Sequence, residues 1–264
     1  MGTKPCADPE QVTVEALAGP DAAQLIAGLR ATSPVQWVPA IDGWLVTGHE
    51  LGVQVMRDDK AFTVDDPRFS TARVTGPSML SLDGPEHRRH RNPFVGPFRP
   101  RQVVDRFEAD VDELTLGLLA RIRGDGTADL RSALAGPLSV NVVAAALGLR
   151  QVEVGTVLDW YWHIVNAVST MTGTSPVPPE ATAAMDALGA HLRTGLHSDQ
   201  GSVLAEATSE LTEAEVVANA AVMMFGGIET TEGMIANAVL HLLGHPDQLT
   251  LVERDPSLIG GAIE

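Results

Sequence analysis

One element constrains this chain more than any other: a long apolar stretch, from Thr212 to Pro246, that reads as a single helix with two adjacent glycines in its middle. Thr212 can cap the helix while Glu215, three residues on, completes a capping box, and Gly244-His245-Pro246 supplies the stop. Roughly thirty residues at about 1.5 Å each span about 45 Å, enough to cross a whole domain. Val216-Val217 and Ala220 to Phe225 on one side of the glycines, and Ile235 to Leu243 on the other, are apolar nearly all round. That pattern predicts a central helix surrounded by others.

The flaw in the middle reads Gly226-Gly227-Ile228-Glu229-Thr230-Thr231. Each glycine in a helix interior costs roughly 1 kcal/mol relative to alanine, so something should compensate by approaching the backbone there. A flat cofactor would do so. Thr230 lies four residues after Gly226, and its hydroxyl can bond the Gly226 carbonyl, opening the ladder and leaving a groove for a small molecule or water. Glu229 places a carboxylate next to that alcohol, a plausible pair for proton delivery. The alternative is a helix-packing glycine pair with Glu229 solvated or salt-bridged, and the residues alone weigh the two about equally.

Composition removes several classes. With 264 residues, 44% of them hydrophobic, the chain can bury a large core. Eighteen Lys plus Arg against 34 Asp plus Glu give a net charge of -16, which disfavours nucleic acid. The start of the chain carries neither the basic end nor the apolar run of a signal peptide, and no apolar stretch of spanning length is free of Gly, Pro or charge. The expectation is a cytoplasmic protein without a membrane partner. The single cysteine, Cys6, allows no disulfide within the chain and no cysteine-based zinc site, and it reads as a free surface thiol.

Helical periodicity dominates the rest. Pro34 to Val38 and Trp44 to Thr47 have strand composition and flank the turn formers Ile41-Asp42-Gly43, predicting a small hairpin. A helix is expected over His49 to Arg57, then a long functional-looking loop from Asp58 to Pro85. Further helices are expected near Arg101 to Arg123, Leu130 to Leu147, Gln151 to Val168 and Pro179 to Leu196, with a break over Thr172 to Pro179. The reading is mainly α, one domain over 1–264 with a minor sheet.

A second motif stands out against the acidic background. Asp83-Gly84-Pro85-Glu86 is a helix start, and His87-Arg88-Arg89-His90-Arg91 follows it. His87 and Arg91, four apart, share a face and could clamp two anionic groups of one ligand. For an isolated basic pentapeptide a solvated face is favoured several to one. Metal binding by His87 and His90 is set aside, because arginines flank both.

Taken together, the motifs change those odds. LDGPEHRRHR followed by PFRPRQV resembles the C-helix segment of bacterial cytochromes P450, and FGGIETTEGM resembles their central I helix. SPVQWVPAIDGWLVTGHE is similar to the first β-sheet of that family and DLRSALAGPLSVNVVAAALGL to its E helix. The resemblance covers nearly the whole chain in matching order. It implies haem b as cofactor, with His87 and Arg91 on the propionates, Gly226 and Gly227 over the distal face, and Glu229 and Thr230 as the acid–alcohol pair that protonates bound dioxygen. It places Ser78, Met79 and Leu80, with Met223, Met224 and the Tyr161 to Met171 region, around a substrate. It implies a monooxygenase acting on a small-to-medium organic molecule with O2 and electrons from a ferredoxin- or flavodoxin-type donor.

The family pattern continues with a Glu-x-x-Arg helix and a loop bearing a cysteine thiolate, neither of which occurs here. No metal ligand is therefore assigned, and the chain reads as the N-terminal part of such a protein, with buried faces left open, unstable and inactive by itself. The absent cysteine also motivates an alternative, a non-catalytic P450-like helper that stabilises a partner enzyme such as a glycosyltransferase. The Glu229-Thr230 pair argues against it. Pro93 and Pro97 are expected to end or kink the C-helix segment early. Arg88, Arg89, Arg99 and Arg101 form a basic patch, a candidate docking site for an acidic electron donor.

Overall fold

The structure, a computed structural model, describes residues 8–171, 175–196 and 203–263, so Cys6 lies outside the described residues. The chain divides into two compact units, one up to Thr63 and one from Val64 onward.

In the first unit, helices α1 (Val14–Ala18) and α2 (Ala22–Thr32) precede a two-stranded antiparallel sheet, β1 (Val35–Val38) and β2 (Gly43–Val46), and α3 (His49–Arg57) closes it. The expected hairpin and the expected helix are both present. Trp37 pairs with Trp44 across the strands, and their rings meet edge to face at 5.7 Å. The turn bends at Asp42, whose φ of 45° falls in the left-handed region that Asp tolerates better than most residues. Leu29, Val38 and Val12 form a small core beneath the strands.

The second unit is helical. Its elements are α4 (Ser70–Thr75), α5 (Gly84–Val95), α6 (Pro100–Asp125), a π-helical turn over Arg131–Ala135, α7 (Gly136–Ala146), α8 (Val154–Thr170), α9 (Pro179–Leu196), α10 (Glu213–Gly227), α11 (Glu229–Gly244), α12 (Pro246–Arg254) and α13 (Ile259–Ile263). Val140 of α7, Val157 and Ile164 of α8, Leu188 and Leu192 of α9, and Val216, Ala220 and Met224 of α10 are all fully or almost fully buried in one cluster. Burying side chains of this size contributes roughly 1.5–3 kcal/mol each, and that term holds the bundle around α10.

Three expectations need correction. The stretch from Asp58 to Pro85 holds α4, whose Thr71, Val74 and Thr75 are buried; its six residues are too short and too rich in threonine to show a helical period. Pro93 does not end the C-helix segment, because α5 runs through it to Val95 and Pro93 is buried inside the helix. The long helix is surrounded over only half its length. α10 buries eight residues, whereas α11 buries none among the described residues and leaves Met234, Leu240 and Leu243 more than half exposed.

Candidate functional site

The N-terminus of α10 forms as its residues require: the Thr212 hydroxyl accepts from the Glu215 amide, and the Glu215 carboxylate accepts from the Thr212 amide at 2.8 Å. The ladder is interrupted at Ile228, the turn between α10 and α11. There the Thr230 hydroxyl donates to the Gly226 carbonyl, as the four-residue spacing predicts.

The two glycines have different reasons. A Cβ on Gly227 would stand 2.5 Å from Val143 Cγ2 of α7, so Gly227 is a packing glycine. A Cβ on Gly226 would meet nothing within 4 Å. Gly226 borders a cavity of about 470 Å³ lined by Met79, Arg91, Phe94, Val95, Phe98, Val222, Met223, Gly226 and Gly227. Thus Gly227 fits the packing reading, and Gly226 leaves its backbone open toward the cavity.

Arg91 reaches that cavity because positions 91, 94, 95 and 98 recur at helical spacing. Its guanidinium is the one charged side chain among apolar walls. Flat apolar bulk with an anionic substituent at one edge suits this lining, so the residues present fit a haem-like group. A second cavity of about 410 Å³, almost wholly apolar, adjoins α6, α7 and α11 and shares Phe98, Met223 and Gly227 with the first.

The other residues named from sequence lie around this centre. His87 is half-buried, with its Nδ1 2.8 Å from the Met79 carbonyl oxygen. Ser78 is buried in a tight turn, its amide donating to the Ser81 hydroxyl, while Leu80 is exposed. Neither is part of the cavity lining. Met223 faces both cavities; Met224 is packed in the core. Glu229 and Thr230 are exposed and do not line either cavity. The Tyr161 hydroxyl donates to the Glu229 carboxylate at 3.0 Å. Burial, and then that carboxylate, push the Tyr161 phenol well above its ordinary value.

Sequence reasoning missed a polar cluster between α5 and α10. Arg89 is bound by Glu86 at 2.9 Å and by Glu215 at 2.5 Å, so it is committed to ion pairs and is withdrawn from the supposed docking patch; Arg88, Arg99 and Arg101 remain exposed. Hydrogen bonds from Arg89 and from the Thr212 amide hold the Glu215 carboxyl down at about 2. His90, set aside as a metal ligand, is buried against Glu215 and Asn219, and burial lowers its pKa. The signal was present: His90, Pro93, Phe94 and Pro97 form a buried stripe at helical spacing, and Asn219 is the one polar residue in an otherwise apolar run from Val216 to Phe225.

No family model matches the chain. Curated relatives do. Cytochrome P450 107B1 of Saccharopolyspora erythraea is 31% identical over 252 residues, covering 87% of this chain and 60% of that protein. The cytochrome P450 monooxygenase PikC of Streptomyces venezuelae is 31% identical over 261 residues, covering 90% and 60%. The crystal structure of P450BioI in complex with an acyl carrier protein superimposes with a TM-score of 0.75 at 25% identity, covering 94% of this chain and 68% of that one. Over nearly its whole length the chain is similar to bacterial cytochromes P450. Its mainly helical fold with a small sheet is the P450 fold, and it spans about three fifths of the length of the curated relatives. That similarity implies haem. Among the described residues, no group of three or more His, Cys, Asp or Glu could hold a metal ion, and no described helix is long and apolar enough to cross a membrane.

Proposed function

We propose that the protein carrying this chain is a haem-dependent monooxygenase that oxidises a small-to-medium, largely apolar organic molecule with O2 and electrons from a ferredoxin- or flavodoxin-type donor. One observation carries the reading: the cavity that joins the Arg91 guanidinium to apolar walls and to the open backbone at Gly226. Arg91 would hold an anionic edge of haem, with His87 beside it, while Gly226 leaves room above the ring. Haem, when bound, supplies the oxidation chemistry.

The chain's own residues would position and protonate. Met79 and Met223 shape the space next to the ring, and flexible thioethers fit irregular apolar substrates. The Thr230 proton is engaged by the Gly226 carbonyl, so its oxygen is free to accept from a water or an acid. Glu229 is held by Tyr161, and proton delivery needs that carboxylate to swing from the phenol toward Thr230. The domain reading, one P450-like domain over 1–264, and the cytoplasmic placement belong to this proposal.

The reading is tested in the full-length protein by the reduced carbon monoxide difference spectrum, together with incorporation of labelled O2 into an apolar substrate. A thiolate-type Soret band and labelled product are expected. Haem-free protein that co-purifies in stoichiometric amount with another enzyme would instead support the helper alternative.

A further inference from the structure

We propose that Asn219 is a positioning residue, the central link of a directional hydrogen-bond relay that runs from Glu215 to His87 and fixes the Met79 peptide in the cavity wall. The direction follows from groups whose roles cannot change. The Met79 amide can only donate, so the atom 2.8 Å from it is the Asn219 carbonyl oxygen Oδ1. The other terminal atom of Asn219, Nδ2, is then a donor. It bonds the Glu215 carbonyl at 2.7 Å and lies 3.0 Å from His90 Nδ1, which must accept. A neutral ring accepting at Nδ1 carries its proton on Nε2, 3.3 Å from Glu215 Oε1.

The opposite tautomer, with Nε2 accepting from Arg89 Nη2 at 3.1 Å, would set an Nδ1 proton against the buried Asn219 amide, whereas the Nε2 proton, although it faces Arg89, has Glu215 Oε1 within 3.3 Å, and Arg89 Nη2 keeps its own bond to that carboxylate at 2.5 Å. At the far end, the Met79 carbonyl can only accept, so His87 donates to it from Nδ1. His87 Nε2 is therefore the nitrogen left for a ligand, and it donates to an anion only when the ring holds both protons.

Asn219 and His90 are both buried to within 1% of fully, which keeps water from substituting for any link. The charged groups facing His90 are Arg89 and Glu86 from α5 and Glu215 from α10. Burial and the Arg89 cation favour the neutral ring that the relay requires, and the two carboxylates oppose them. Asn219 touches neither cavity and acts through Met79, whose backbone it grips on one side while His87 grips the other. The consequence for anion binding rests on the haem reading given above; the relay itself does not.

Imidazole nitrogen resonances of 15N-labelled full-length protein test it, assigned with His87→Gln and His90→Gln. The expected result is neutral His90 protonated at Nε2, and His87 protonated at Nδ1. Asn219→Asp keeps the acceptor for Met79 but replaces the donor to His90 by a carboxylate, so His90 should become imidazolium at a pH where the wild type is neutral. Asn219→Ala removes the Met79 link and should weaken haemin binding roughly tenfold. A wild-type His90 protonated at Nδ1, or a ring state unmoved by Asn219→Asp, would overturn the relay. A merely structural Asn219 would lose stability in both variants without that change in the ring. Failure of haemin to bind, with both ring states as stated, would remove the haem reading and leave the relay standing.

Discussion

The two halves of the long helix are both predominantly apolar, yet α10 buries eight of its fifteen residues and α11 none of its sixteen among those described. Their difference lies in what surrounds them within this chain, which spans about three fifths of the length of its curated relatives. α10 passes between α7, α8 and α9, whose buried aliphatic side chains interlock with Val216, Ala220 and Met224. α11 meets α7 along one side and the π-helical turn, where Arg131 bonds Glu232, and leaves Met234, Leu240 and Leu243 facing outward. Apolar sequence therefore records what a helix is able to bury, and tertiary packing decides whether it does so.

The sharpest way to break this comparison is a matched pair of truncations. Met224→Ala should destabilise the helical unit by about 2–5 kcal/mol in urea unfolding, because Met224 is fully buried. Leu240→Ala should change it by less than about 0.5 kcal/mol. Equal costs would mean that α11 is packed like α10.

Next in size are the glycines at the junction. Gly227→Ala forces a methyl onto Val143 and should cost about 1–3 kcal/mol. Gly226→Ala meets open space and should be neutral, or stabilising by up to about 1 kcal/mol, through its helix propensity. Thermal unfolding of the two variants separates a packing glycine from a cavity glycine.

A smaller effect concerns the link between α8 and α11. Tyr161 is the only tyrosine, so its ionisation can be followed directly by phenolate absorbance. It should resist ionisation well above the ordinary tyrosine range, chiefly because it is buried, and Glu229→Gln should lower that value only part of the way. Tyr161→Phe should cost about 0.5–1.5 kcal/mol.

A pH-dependent effect belongs to the start of α10. Glu215 has a folded pKa of about 2 against an ordinary 4.5. A carboxyl whose pKa is depressed by folding contributes stability above its unfolded pKa and loses it as pH falls through the folded value. Stability should thus decline between about pH 4.5 and 2, and Glu215→Gln should flatten that part of the profile.

Much of this was legible in the residues. The capping box, the Thr230–Gly226 bond, the hairpin and the helix His49–Arg57 follow from local rules that depend on neighbours in the chain. What escaped depends on partners far along it. Arg89 reads as a free cation until Glu215, 126 positions away, meets it. The purpose of Gly227 is invisible without Val143, and His90 among arginines reads as surface until the stripe through Pro93, Phe94 and Pro97 is seen to face inward. The site was legible in part for the same reason: Arg91, Gly226 and Met223 converge on one cavity, whereas Ser78 and Leu80 turn away from it.

Haemin titration of the full-length protein and its Gly226→Leu variant, followed by the Soret band, tests the proposed cofactor site most directly. Wild type should bind one haem saturably, and a leucine filling the open backbone at Gly226 should weaken that binding at least about tenfold, with no loss of thermal stability. Equal haemin affinity in the two proteins would contradict the placement of the cofactor in the Arg91–Gly226 cavity.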